Sequence, residues 1–179
     1  MRWTVPFLLT ACAPGPMEVT ERLEDTGRVP VLAPSIELSA ESQAFVPLTG
    51  DESLVVVHGP GGGWHLEISG VVRHVAPIVI LTGSGHRASN DELLTDAVPT
   101  HTALDYDEAE DAGFFSEHKL VVDLVNQPDW TRFICDLEGE ALEICMSAQA
   151  YEGDSFAEIC TTLTLQRDPM DDAEMCATN

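Results

Sequence analysis

The sequence predicts an all-β fold, an antiparallel β-sandwich held by disulfides, and three observations support this prediction. From residue 45 onward, short apolar runs alternate with turn residues, a pattern typical of sandwich domains. Residues 141–151 and 156–165 alternate apolar and polar side chains, which turns one face of each strand toward a core. Four of the five cysteines lie in the last quarter of the chain, so disulfides are expected there.

The first strands flank a glycine-rich loop. Residues 54–58 are rich in β-branched side chains and end at the loop 59–63, and residues 64–72 form the next run. One parity of that run is apolar and the other is mostly polar, so we expect one buried face and one wet face. The apolar set is Trp64, Leu66, Ile68 and Val72, and the polar set is His65, Glu67, Ser69 and Arg73.

The middle of the chain predicts two further strands. Residues 78–81 are an unbroken apolar run, and Gly83 and Gly85 behind it predict its end. Residues 86–98 are polar and leave the structure open, with a helical turn at 91–94 as one reading. Residues 120–125 predict another strand, which Pro128 closes.

The last two strands predict a hairpin and its disulfides. Residues 152–155 between them suit a turn, and antiparallel pairing puts Cys145 and Cys160 on one face, directly opposite or one diagonal apart. Cys135 and Cys176 both belong to the open end of this hairpin. The preferred connectivity is therefore Cys145 with Cys160 and Cys135 with Cys176, among three possibilities.

The N-terminus resembles the signal of bacterial lipoproteins. Arg2 precedes a brief apolar run that is too short to span a bilayer. The run ends at a stretch resembling a lipobox, formed by Leu9, Thr10, Ala11 and Cys12. The resemblance implies cleavage before Cys12, acylation of this cysteine and a membrane contact made by the lipid. Ala13 after the cysteine implies delivery to the outer membrane, and hence a location in the cell envelope.

Composition divides the chain into four parts. Residues 1–11 are expected to be a signal peptide, residues 12–43 a lipidated cysteine with an acidic, proline-containing tether, residues 44–168 the sandwich and residues 169–179 an acidic tail. The tether has too little apolar surface to offset the entropy of ordering. Within it, residues 29–38 leave open an edge strand.

The closing segment resembles the terminal strands of bacterial immunoglobulin-like sandwich domains. The similarity covers residues 137–139, the paired strands with their Gly-Asp turn, and residues 167–169. Residues 45–48 and 58–65 resemble segments of uncharacterised lipoproteins from predatory soil bacteria. These resemblances imply an immunoglobulin-like β-sandwich and transfer no chemistry.

The charge of the chain limits its partners. Acidic residues number 31 against 8 basic ones, which gives a formal net charge of −23. Such a field repels nucleic acid and anionic lipid headgroups. Beyond the membrane contact of the lipid, we therefore expect a cationic, neutral or metallic partner, such as an unidentified protein or a glycan, and no nucleic acid.

Two sets of residues are candidate metal ligands. His58 and His65 bracket the glycine-rich loop, and imidazoles suit copper or zinc, but a third ligand is not evident. A cluster of carboxylates offers oxygen ligands for calcium, although its spacing is not that of an EF-hand. Its members are Asp105, Asp107, Glu108, Glu110 and Asp111.

No motif predicts catalysis. Residues 83–86 lack the Gly-x-Ser-x-Gly spacing of a nucleophile elbow, and the loop 59–63 lacks the Lys-Ser or Lys-Thr of a phosphate cradle. No catalytic residue and no cofactor other than a metal ion are predicted. The sequence favours a membrane-anchored envelope lipoprotein with a binding or structural module. A metal-binding lipoprotein is the alternative, and a hydrolase is the third reading.

Overall fold

Strands make up most of the residues that this computed structural model describes, namely 32–40, 45–95, 97–125, 127–171 and 175–176. The strands are β1 (Ser35–Ser39), β2 (Ser53–His58), β3 (Trp64–Arg73), β4 (Ile78–Arg87), β5 (Glu92–Leu93), β6 (Thr100–Ala103), β7 (Asp105–Asp107), β8 (Ala112–Val121), β9 (Ala141–Ala150) and β10 (Phe156–Arg167). Two short helices are α1 (Trp130–Asp136) and α2 (Pro169–Asp171). The predicted all-β sandwich is confirmed.

The strands form two layers that share β2. Sheet A contains β7, β8, β3 and β1, and sheet B contains β4, β9 and β10 with the short β5 and β6 beside β4. The start of β2 runs parallel to β10, with Ser53 opposite Thr164, and its end runs antiparallel to β3, with His58 opposite Trp64. Among the strands that the structure describes, β2 and β10 are the one parallel pair, which arises where β2 passes from one sheet to the other.

The core lies between the two sheets. Side chains that alternate along each strand meet there, as the period of two requires. The largest fully buried ones include Leu66, Ile68, Leu81, Leu120, Leu142, Ile144, Met146 and Leu163.

The predicted wet face of β3 is wrong at two positions. His65 is 9% exposed and Ser69 is 2% exposed. Ser69 is covered because β8 has an irregular register beside it, and the Glu117 backbone N–H donates to the Ser69 hydroxyl at 3.2 Å. His65 lies beside Gly59 of the loop and contacts Glu67 through Nε2 at 3.0 Å.

The predicted end of the strand at Gly83 is also wrong, since β4 continues to Arg87. A Cβ at Gly83 would lie 2.3 Å from Met146 Sδ and 2.5 Å from Leu120 Cδ2. Glycine is thus required here by close packing of the sheets and not by a turn. Farther along, residues 92–93 form β5 beside β4 in place of a helical turn.

The strand predicted at residues 120–125 lies earlier, because β8 is Ala112–Val121. Its polar residues and the positive φ of 53° at Glu117 interrupt the alternation that would have revealed it. The predicted end moves with it: the last bond to β3 runs from the Val122 N–H to the Trp64 carbonyl, and the Gln127 N–H then closes a turn on the Leu124 carbonyl, ahead of Pro128. Helix α1 was not predicted, and the Asp129 side chain caps its N-terminus.

The ordered sandwich extends beyond residues 44–168. Strand β1 lies in the expected tether and pairs with β3, and its Ile36 and Leu38 are buried, which agrees with the edge strand left open there. Helix α2 lies in the expected tail. The signal peptide and Cys12 lie outside the described residues. Within the described ranges, no helix is long and apolar enough to cross a membrane.

Candidate functional site

An aromatic cluster lies at the end of the sandwich formed by the β2–β3 hairpin. Register places His58 opposite Trp64, and their rings stack with centroids 4.6 Å apart and planes 17° apart. The ring centroid of Trp130, at the start of α1, lies 5.1 Å from that of Trp64. Trp64 is 5% exposed, whereas Trp130 is 45% exposed, so the cluster joins the core to the surface.

A buried carboxylate holds this cluster to the C-terminal region. Asp171 is 3% exposed and accepts a hydrogen bond of 2.6 Å from Trp64 Nε1. Its other oxygen lies 3.0 Å from His58 Nδ1. Since an unpaired buried carboxylate is costly, these contacts fasten α2 to the hairpin.

Asp168 adds a second attachment at the same place. Its carboxylate accepts the backbone N–H of Met170 at 2.9 Å and that of His58 at 3.2 Å. These two hydrogen bonds lower the pKa of Asp168, and the one from Met170 has the larger effect. Both favour the charged form of the carboxylate. The arrangement holds the turn after β10 against the backbone at the end of β2.

The structure does not bring His58 and His65 together as metal ligands. Val57 is opposite His65 and His58 is opposite Trp64, so the two imidazoles lie on opposite faces of the hairpin. His58 contacts Asp171, whereas His65 contacts Glu67. Among the residues the structure describes, no group of three or more His, Cys, Asp or Glu side chains is placed to hold a metal ion.

The other histidines lie apart from the cluster. Each contacts a neighbour of its own: His74 with Asp111 at 3.0 Å, His86 with Asp91 at 3.4 Å, His101 with Tyr151 at 5.1 Å between ring centroids and His118 with Phe115 at 6.4 Å. Burial lowers the pKa of His118. None of these contacts extends the His58 cluster.

The candidate calcium ligands occupy an exposed turn. Asp105 and Asp107 are on β7, and Glu108, Glu110 and Asp111 lead into β8. Asp107 accepts the backbone N–H of Ala109 at 2.8 Å, as in a turn stabilised by its own side chain. Asp111 accepts the Tyr106 hydroxyl and contacts His74 Nδ1, and these contacts lower its pKa. Asp107 and Asp111 thus shape the turn.

Two disulfides have the preferred connectivity. The Sγ atoms of Cys145 and Cys160 are 2.01 Å apart, and those of Cys135 and Cys176 are 1.93 Å apart. Cys145 and Cys160 are directly opposite in the β9–β10 register. The second bridge ties α1 to the segment that follows α2.

No protein-family model and no curated protein matches this chain. Among solved structures, the chain is similar to the CooA pilin subunit from enterotoxigenic Escherichia coli, with 11% identity and a TM-score of 0.38. The match covers 75% of this chain and 99% of the pilin chain. A likeness at this level shows neither a shared family nor a function.

Sequence reasoning missed Asp171 and Trp130. Asp171 lies in a run of acidic residues, within the segment expected to be a tail, and no local pattern distinguishes it. Trp130 follows Asp129, a residue type that favours helix N-caps, and this was the available signal for α1. Their contact with Trp64 depends on the tertiary fold.

Proposed function

We propose that this protein is a cell-envelope lipoprotein, acylated at Cys12, whose β-sandwich is a non-catalytic binding or structural module. The observation that supports this most directly is the pairing of the cysteines. Two disulfides use four of the five cysteines, and Cys12, the one left over, lies in the lipobox-like stretch. Disulfides persist in oxidising compartments, where the domain of such a lipoprotein resides.

The perturbed carboxylates support a non-catalytic role. The pKa values of Glu52, Asp111 and Asp168 are all lowered by hydrogen bonds, and all three belong to turns between elements or at their ends. Catalytic carboxylates are instead perturbed inside clefts, often toward a raised pKa. In this protein, Glu52 and Asp168 accept backbone N–H groups at turns, and Asp111 accepts the Tyr106 hydroxyl and contacts His74.

Acylation is tested by labelling the full chain with a fatty acid in a bacterial host and fractionating the cells. The wild-type chain is expected to carry the label and to sediment with membranes. Cys12→Ser is expected to lose the label, because the acceptor sulfur is absent. As a matched control, the double variant Cys145→Ser, Cys160→Ser removes two disulfide-bonded cysteines elsewhere and is expected to keep the label. An unlabelled wild-type chain, or a labelled Cys12→Ser chain, contradicts the proposal.

A further inference from the structure

The outer face of sheet B carries an exposed apolar patch next to the β9–β10 turn. Ile78, Tyr151 and Phe156 are 50%, 53% and 50% exposed. Val79 and Ala150 point inward and are buried, so their neighbours Ile78 and Tyr151 project outward. We call Pro77, Ile78, Tyr151 and Phe156 the Tyr151 patch.

The patch residues come from the ends of three neighbouring strands, β4, β9 and β10. The Tyr151 N–H donates to the Ile78 carbonyl at 3.0 Å, and Phe156 is opposite Gln149, which is itself opposite Ile80. Pro77, Ile78 and Tyr151, with Ala76 and Glu152, line a depression of about 380 Å³. The His101 ring lies edge-on to Tyr151 at 5.1 Å, which supports the phenol ring from one side.

Carboxylates lie beside this patch, in the β9–β10 turn and on β10. Glu152 and Asp154 are exposed in the β9–β10 turn, and Glu158 is exposed on the outer face two residues beyond Phe156. Arg87 and Arg167 lie at the opposite ends of β4 and β10. Each described Lys or Arg already faces a carboxylate: Arg73 with Glu37, Arg87 with Glu92, Lys119 with Glu67, Arg132 with Asp136 and Arg167 with Glu138.

We propose that the Tyr151 patch is a docking surface for a basic, partly apolar segment of a partner protein. Apolar side chains of the partner would cover Ile78, Tyr151 and Phe156, and its Lys or Arg side chains would meet the carboxylates of the β9–β10 turn and β10. Aromatic rings also attract cations. The inference rests on the proposed binding role and names the chemistry of the partner.

Charge argues against the other occupants of the patch. The chain carries a net charge of −23, so two copies meeting at this face would bring like charges together. Anionic lipid and nucleic acid are repelled for the same reason. A basic protein segment is attracted by the field that repels them.

The test measures binding of a fluorescent peptide of alternating lysine and leucine to the detergent-solubilised full chain, by anisotropy at low salt. The double variants Tyr151→Ser, Phe156→Ser and Glu152→Gln, Glu158→Gln are each expected to weaken binding by about tenfold. The control Asp107→Asn, Glu110→Gln removes the same charge from the β7–β8 turn and is expected to leave affinity unchanged. Unchanged circular dichroism of all variants shows that they fold.

Several outcomes would overturn the proposal. Equal weakening by the control variant would show general charge attraction, and an unaffected Tyr151→Ser, Phe156→Ser chain would place binding elsewhere. Self-association of the wild-type chain, if the Tyr151→Ser, Phe156→Ser variant abolished it, would assign the patch to another occupant. Binding of a neutral glucan oligosaccharide that was lost in the same variant would do so too. An unlabelled Cys12 with peptide binding intact would refute the lipid anchor alone, whereas a labelled Cys12 with no peptide binding would refute the patch alone.

Discussion

Asp171 is a single residue that links the end of the chain to the core. Its carboxylate is buried and accepts the Trp64 indole N–H, with His58 on its other oxygen. Burial of such a group is tolerated because both partners are nitrogen groups that can donate. The fold of the C-terminal region therefore depends on this one side chain as well as on a disulfide.

Replacement of Asp171 by Ala is expected to destabilise the protein by about 1–3 kcal/mol, because the buried Trp64 N–H loses its acceptor. Denaturant unfolding followed by tryptophan fluorescence measures the change. Asp171→Asn keeps one acceptor oxygen and is expected to lose less. Asp136→Ala removes an exposed carboxylate from α1 and serves as the control, so equal loss in both Ala variants would contradict the role of Asp171.

Gly83 provides a second prediction at the scale of the residue. Gly83→Ala is expected to cost about 1–3 kcal/mol of unfolding free energy, since the new methyl group would overlap Met146 and Leu120 in a filled core. Gly61→Ala is the matched control, because a Cβ there meets nothing within 4 Å. Urea denaturation compares the two, and equal midpoints would show that the sheets can separate at Gly83 without cost.

Glu52 makes the third prediction, on pH. The Thr49 hydroxyl, assisted by the backbone N–H groups of Thr49 and Gly50, lowers the pKa of Glu52 from 4.5 to about 2. A lowered folded-state pKa means that this contribution to stability is present above pH 4.5 and is lost as pH falls toward about 2. NMR titration is expected to show the low pKa, and Thr49→Val is expected to raise it. An unchanged pKa in that variant would refute the cause.

Among the elements, the β9–β10 hairpin is crosslinked by one disulfide and enclosed by the other. Cys145–Cys160 joins the two strands within it, over a sequence separation of 15, and Cys135–Cys176 joins the segments outside it, over a separation of 41. The strands are also paired in register from Phe156 opposite Gln149 to Thr164 opposite Ala141. The inner bridge thus reinforces a pairing that exists without it, and the outer bridge closes a longer loop.

The longer loop is expected to contribute more stability. Loop-closure entropy gives about 4 kcal/mol for the outer bridge and about 3 kcal/mol for the inner one. The double variant Cys135→Ser, Cys176→Ser should therefore unfold at a lower denaturant concentration than the double variant Cys145→Ser, Cys160→Ser. It should also change the fluorescence of Trp130 and Trp64, which lie near α1 and α2. The opposite order of stability would show that native contacts, and not chain entropy, dominate.

At the scale of the whole molecule, negative charge is the dominant feature. With 31 acidic residues against 8 basic ones, the carboxylates outnumber the Lys and Arg side chains that could form ion pairs with them. Several accept backbone N–H groups in turns, as at Glu52, Asp107 and Asp168, and others lie beside the Tyr151 patch. The folded state therefore concentrates like charges that are farther apart in the unfolded chain.

Salt is accordingly expected to stabilise the protein. Raising sodium chloride from low to physiological concentration should raise the Tm, because screening weakens the repulsion among carboxylates. Thermal unfolding by circular dichroism measures this, and potassium chloride at equal ionic strength should give the same shift. A Tm that falls with salt would show that exposed ion pairs contribute more than the repulsion.

Local pattern was sufficient for part of this fold. Alternation predicted β3, β9 and β10, and the turn at residues 152–155 placed Cys145 opposite Cys160 or close to it, because period two sets the face and a short turn limits the register. Local pattern is insufficient at β8, where Glu117 interrupts the alternation, and at β4, where Gly83 predicts the end of a strand that continues to Arg87.

The sequence by itself determined the strand-rich class, the disulfide-bearing hairpin, the acidic charge and the lipobox-like start, since each is a property of neighbouring residues or of composition. Only the tertiary structure decided the passage of β2 between sheets and the separation of His58 from His65. It also decided the hydrogen bond between Asp171 and Trp64, which are separated by 107 positions in the sequence. Such contacts depend on which faces meet after the sheets pack, and side chains distant in the chain carry no local pattern that records their partner.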